Sequence, residues 1–173
     1  MLQRPEQDEY VDYFAQYVGK VPEGALTDIM NRQMDELSAM LAGLSEEQAN
    51  QGYASGKWTV KEVLGHMSDT ERVMGYRLLR AARGDRTALP GFDQDVFVQN
   101  GAFAAQTAAE LLADFRAVRR ATLSLFATVS DEAWLRKGVV KDHDMSARAL
   151  AYVIAGHALH HQLVLQTKYL SGE

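Results

Sequence analysis

Residues 146–165 read SARALAYVIAGHALHHQLVL, and the reading of this stretch decides the fold. Leu150, Ile154, His157, His161, Val164 and Leu165 recur at three- and four-residue intervals, which places them on or near one stripe of a helix. A serine opens the stretch, and the spacing predicts a helix over about 146–170. His157 and His161 lie on the apolar stripe and so face the interior or the mouth of a helical assembly.

Three further segments carry the same periodicity. The first, about 23–44, has Leu26, Ile29, Met30, Met34, Leu37 and Leu41 at helical spacing, with Gly43 and the start signal Ser45-Glu46-Glu47 after it. The second opens after Trp58 with Thr59-Val60-Lys61-Glu62, a capping box whose hydroxyl and carboxylate satisfy orphaned backbone donors, and stops at Gly84-Asp85. The third opens on a second such box, Thr107-Ala108-Ala109-Glu110, and runs to about 129. A preliminary helix over 6–18 is expected to pack across these four.

Each half of the chain thus carries a long helix, a short acidic turn (Ser45-Glu46-Glu47 or Ser130-Asp131-Glu132), a loop of a dozen or so residues and a histidine-bearing helix. Two helical hairpins stacked together make a bundle. The expected fold class is all-α: a four-helix bundle with a short N-terminal helix and a long crossover between helices 2 and 3, forming one domain over 1–173. The crossover, 85–106, contains Leu89-Pro90-Gly91-Phe92-Asp93-Gln94-Asp95. It reads either as a span over the bundle or as a loop lining a site.

Composition bounds the chemistry. A chain of 173 residues buries roughly 70% of its unfolded surface, so its core needs no disulfide or metal. The absence of cysteine excludes a disulfide framework, a thiolate metal site and a cysteine nucleophile. The net charge of −5 disfavours phosphate backbones and hence nucleic acid. The longest apolar run, from Ala149 to Leu159, is far below the roughly 20 residues that span a bilayer. No apolar stretch of signal-peptide type opens the sequence, so a cytoplasmic location is the expectation.

The histidines carry the functional signal. At i and i+4 on one face, His157 and His161 have Cβ atoms about 6 Å apart. Two imidazoles at that spacing can close on one ion with bonds of roughly 2.0–2.1 Å. His66 lies mid-helix beside Val63, Met67 and Val73, where a buried neutral imidazole needs a partner. In a bundle, facing helices supply the ligands. Three nitrogens leave one coordination position open, as catalytic zinc sites do, although imidazole also suits nickel, iron and copper. An isolated pair at this spacing is also compatible with a polar helix face. His160 lies off the stripe and reads as exposed or as supporting a ligand; His143 sits in a polar loop. Asp69 and Glu71, near His66, read chiefly as a solvated face and otherwise as weak candidates for a catalytic general base.

Four stretches, in this order and spacing, resemble the DinB/YfiT-like superfamily of metal-binding four-helix bundles. They are Trp58-Thr59-Val60-Lys61-Glu62-Val63-Leu64-Gly65-His66, then Asp69-Thr70-Glu71-Arg72, then Leu89 to Asp95, then His157-Ala158-Leu159-His160-His161-Gln162. The resemblance implies metal ligands at His66, His157 and His161, with one nickel or zinc ion per chain and a homodimer. It implies either a metal-dependent hydrolase or a transferase that uses a low-molecular-weight thiol such as bacillithiol or mycothiol; a non-catalytic metal-binding stress-response protein is the remaining alternative. A small-molecule substrate, with no nucleic-acid or membrane partner, goes with both enzymatic readings. The loop 89–97 with Tyr76, Arg77 and Tyr152 is then a candidate pocket wall.

Overall fold

The computed structural model describes residues 2–170; residue 1 and residues 171–173, the ends of the expected domain, lie outside them. Helices dominate: α1 (Ala15–Val18), α2 (Leu26–Leu41), α3 (Glu46–Ala49), α4 (Val60–Ala82), α5 (Gln94–Asn100), α6 (Ala108–Phe126), α7 (Asp131–Trp134) and α8 (Ala147–Val164). The four long ones, α2, α4, α6 and α8, form the expected bundle. Both expected capping boxes close. Thr59 Oγ1 accepts from the Glu62 amide (3.1 Å) while Glu62 accepts from the Thr59 amide (2.7 Å), and Thr107 and Glu110 do the same at 3.1 and 2.7 Å.

The pairing of the helices differs from two stacked hairpins. α4 packs along α8 and α6, and α2 packs along the same two, so α2 lies diagonally across from α4, and α6 from α8. Consecutive long helices within each half are therefore not neighbours. The connectors, 42–59 and 127–146, are long enough to cross the bundle end, which a short helical-hairpin loop could not do.

Three further features depart from the sequence reading. The segment 6–18 is not one helix: 3-10 turns at Gln7–Glu9 and Asp12–Phe14 precede α1, with extended backbone at Tyr10 and Val11. The break turns Glu9 inward, where its carboxylate accepts from Ser146 Oγ (2.6 Å) and from Arg148 Nε (2.7 Å) at the start of α8. The polar stretch around His143 is a β-hairpin, β1 (Lys137–Val140) and β2 (His143–Ser146), closed by Lys141 and Asp142 at φ 47° and 63°. Two left-handed residues are what a two-residue hairpin turn requires. Third, the crossover holds α5 and a 3-10 turn at Phe103–Ala105, and its Leu89 exchanges backbone hydrogen bonds with Val139 (3.0 Å) and Lys141 (3.1 Å).

Two apolar clusters fill the bundle. One gathers Met30, Met74, Leu78, Phe126, Leu150 and Ile154; the other gathers Leu37, Val63, Leu64, Met67, Leu111 and Phe115. Burying each such side chain contributes about 1.5–3 kcal/mol. Between them lies a polar layer. Arg119, fully buried, donates from Nε and Nη2 to Glu71 (2.9 and 2.8 Å), and from Nη1 to the Met30 carbonyl (3.1 Å) and to Gln33 Oε1. Gln33 Nε2 reaches the Ala155 carbonyl (2.9 Å), and Gln162 Nε2 reaches the Gln33 carbonyl (2.7 Å). This network touches all four long helices. It sits at the level where α4 and α8 carry their histidines.

Candidate metal centre

His66 projects from the middle of α4, and His157 and His161 from the last two turns of α8. The i, i+4 spacing stacks the two α8 rings, with centroids 4.5 Å apart, and the packing of α4 on α8 brings His66 to 4.9 and 4.8 Å from them. The Nε2 atoms converge: His66 to His157 is 3.0 Å and His161 to His157 is 3.1 Å. All three rings offer a nitrogen within 4.8 Å of the others.

The covering residues explain how this cluster is kept from water. Each of the two buried histidines follows a glycine in its helix. A Cβ on Gly156 would fall 2.0 Å from the Tyr17 carbonyl oxygen, and one on Gly65 would fall 2.3 Å from the Phe103 ring. Only glycine lets those segments lie so close. Tyr17 then packs edge-on against His157 at 5.4 Å, and Trp58 lies 4.8 Å from His66. His66 and His157 are buried, while His161 keeps some exposure.

Burial dominates the electrostatics. It pushes the His66 imidazole down to about 4, with a smaller push from His160. His161 falls to about 2 through burial and the neighbouring His66 and His160, and His157 lies well below the ordinary histidine value, again mainly through burial. At neutral pH all three rings are therefore uncharged, as ligands must be. Thr70 Oγ1 lies 3.4 Å from His66 Nδ1. A proton on that Nδ1 directs the lone pair of Nε2 into the cluster.

These residues fit a divalent metal ion. Three Nε2 atoms without a fourth protein group cannot satisfy one another, because each neutral imidazole has one N–H and one lone pair. His161 Nδ1 also lacks a partner among the described residues. Nitrogens bound to one tetrahedral ion at about 2.0–2.1 Å stand roughly 3.3 Å apart, close to the separations here. Two nitrogens from one helix and one from another could hold such an ion, and three donors would leave a coordination position for a ligand.

A cavity of about 420 Å³ opens over His66 and His157. Tyr13, Phe14, Met74, Phe92 and Val153 give it largely apolar walls, and Arg77 and Lys141 supply its cations, with His143 a further imidazole. The crossover thus contributes directly, through Gly91, Phe92 and Gln94. Of the other expected wall residues, Tyr76 is exposed and accepts from Arg80 Nη1 (2.5 Å), and the Tyr152 hydroxyl donates to the Leu2 carbonyl (3.1 Å) away from the cavity.

Asp69 and Glu71 do not join the cluster. Asp69 pairs with Arg72 at 3.2 Å. Glu71 is not on a solvated face: it is buried and bound by Arg119 at 2.8 Å. His160 packs edge-on against Tyr17 at 5.6 Å and His161 at 5.0 Å, and stays outside the nitrogen cluster. His143 is exposed, as its polar surroundings suggest, yet lies at the cavity rim on β2. Sequence reasoning missed Tyr17, Trp58 and Thr70. Thr70 and Trp58 had a signal, the one four residues after His66 and the other at the head of a stretch that carries the resemblance; Tyr17 acts across the fold and had none.

A four-helix bundle with a three-histidine cluster beneath an apolar cavity defines the class. A profile described as the DinB superfamily matches residues 29–165, and the chain belongs to that superfamily. It is 35% identical over 60 residues to a Geobacillus thermodenitrificans (strain NG80-2) protein named "Putative metal-dependent hydrolase". That match spans 35% of this chain and 34% of the relative, about a third of its length. Among solved structures, Bacillus subtilis YfiT, described as "a probable metal-dependent hydrolase with an unusual four-helix bundle topology", superposes with a TM-score of 0.75. The superposition covers 95% of this chain and 90% of YfiT at 14% identity, a likeness of fold.

Proposed function

We propose that this protein is a divalent-metal-dependent enzyme in which His66, His157 and His161 hold one nickel or zinc ion and the cavity takes a low-molecular-weight thiol together with an electrophile. The convergence of the three Nε2 atoms under a cavity without a carboxylate carries this reading. A divalent ion held there supplies positive charge that lowers the pKa of a thiol or of water.

A thiol ionises at about 8.5 and needs only that help to react as thiolate near neutral pH. Water starts far higher, and its attack profits from a carboxylate that moves the proton. Among the described residues no Asp or Glu lines the cavity, and Asp69 and Glu71, which follow His66 on α4, are engaged by Arg72 and Arg119. The chain itself has no cysteine, so the sulfur arrives with the ligand. In the transfer the S–H proton passes to solvent and sulfur bonds to the electrophilic carbon, whose leaving group departs with the bonding pair. Tyr17 and Trp58 shield the histidines, and the aromatic walls receive the apolar part of the ligand.

Hydrolysis is the second reading, favoured by the names given to the Geobacillus relative and to YfiT. The two separate cleanly. Zinc- or nickel-loaded protein is given monochlorobimane with cysteine, glutathione, bacillithiol or mycothiol, and separately p-nitrophenyl acetate without thiol. Thiol-dependent conjugation lost in His157→Ala is the expected result. Ester turnover without thiol, and no conjugation, would transfer the assignment to a hydrolase; inactivity in both would leave a metal-binding stress-response protein. A homodimer and a cytoplasmic location complete the proposal; no helix among the described residues is long and apolar enough to cross a membrane.

A further inference from the structure

Among the described residues two arginines are buried, and only one of them has a carboxylate partner. Arg119 is saturated by Glu71, Gln33 and the Met30 carbonyl. Arg77 is 5% exposed, yet among the described residues no carboxylate lies within ion-pairing distance of its guanidinium. Nη2 donates to the Pro90 carbonyl (2.8 Å), Nη1 reaches only the weak acceptor Met74 Sδ (3.5 Å), and the group lies over the Phe92 ring at 5.6 Å. A guanidinium has five N–H donors and stays charged in proteins. Burying one without a counter-charge is costly, and a packed apolar side chain would serve stability better.

The place of Arg77 accounts for that cost. His66, Thr70, Met74 and Arg77 all line the cavity, and they form one stripe of α4. Eleven residues separate the first from the last, three turns of helix and a Cα rise of roughly 16 Å. The arginine leans back toward the helix N-terminus, onto Met74 Sδ one turn nearer the histidines. Lys141, which also has no acidic partner among the described residues, stands at the cavity rim on the hairpin turn. Phe14, Phe92, Met74 and Val153 are among the apolar walls of the same cavity.

We propose that Arg77, with Lys141 at the rim, binds a carboxylate of the substrate or thiol cosubstrate, so that the site takes molecules with an acid at one end, an apolar body, and the reacting atom at the histidine end. A guanidinium offers a planar fork to a carboxylate. Anchoring the far end fixes which atom reaches the histidine cluster. This inference rests on the cavity being the substrate pocket of the metal centre.

The test uses metal-free protein, so that no ion can bind the acid, and two probes of equal shape, hydrocinnamate and its neutral amide, hydrocinnamamide. Titration calorimetry at neutral pH should give at least tenfold tighter binding of the carboxylate. Arg77→Met should abolish that preference while leaving amide binding and far-ultraviolet circular dichroism unchanged. Lys141→Ala, an exposed position with little bearing on folding, should weaken carboxylate binding several-fold without affecting the amide, and it decides the matter if Arg77→Met does not fold. Equal binding of both probes, binding of neither, or a preference unchanged in the folded variants would overturn the proposal. Zinc uptake measured on the same preparation separates the two claims. Lost uptake with retained anion preference removes the metalloenzyme and keeps the acid subsite, and the converse removes the subsite alone.

Discussion

Gly156 shows what a single residue does for the site. In the interior of α8 a glycine costs about 1 kcal/mol relative to alanine, so its presence needs a local cause. The cause is the Tyr17 backbone, which would lie 2.0 Å from an added Cβ. Gly75, in the interior of α4, meets only Thr122 Oγ1 at 3.9 Å. Gly75→Ala should therefore stabilise the protein by up to about 1 kcal/mol in urea denaturation. Gly156→Ala should instead destabilise it, by about 1–3 kcal/mol as for other overpacked sites, because α1 must lift off the helix. If both substitutions stabilised, the close seating of Tyr17 over His157 would be wrong.

At the scale of elements, the N-terminal segment is secured through Glu9. Burial alone would raise its carboxyl, but hydrogen bonds from Arg148, Ser146 and the Glu6 amide, with the Arg148 charge, bring it down to about 2. The unfolded chain binds this proton near 4.5, so the folded form is favoured above that pH. The advantage falls away as pH drops from about 4.5 to about 2 and is absent below. Glu9→Gln should lower stability at neutral pH by a few kcal/mol at most and flatten this part of the acid-unfolding profile. An unchanged profile would contradict the account. The element-level reading of the sequence fails here for the same physical reason. Residues 6–18 have helical composition, but a long-range ion pair with Arg148 bends the chain out of the helix. The β-hairpin was equally hidden, since Lys141-Asp142 has no glycine and lacks the Asn-Gly or Asp-Gly order that usually marks such turns. The capping threonines and the apolar periods of α2, α4, α6 and α8 are local signals, and they were legible.

Across the whole molecule, the histidine cluster depends on which helices are neighbours. His157 and His161 could be placed on one face from spacing alone. That His66 meets them follows from α4 packing on α8, which the periodicities do not specify; its apolar mid-helix setting suggested it as a third ligand, and resemblance to the superfamily implied the same trio. The diagonal arrangement lets a buried polar layer, Arg119 with Glu71 and Gln33, tie all four helices together at the level of the site. That layer also accounts for the error over Glu71, whose partner lies 48 residues away in sequence.

Whether the three histidines hold a metal is read by elemental analysis by mass spectrometry of untagged protein purified without chelators, beside His66→Ala and His161→Ala. The account predicts about one nickel or zinc per chain in the wild-type protein and its loss in both variants, because one ligand comes from α4 and the other from α8. A wild-type protein that is empty and refuses added metal, or variants that keep a full complement, would contradict it.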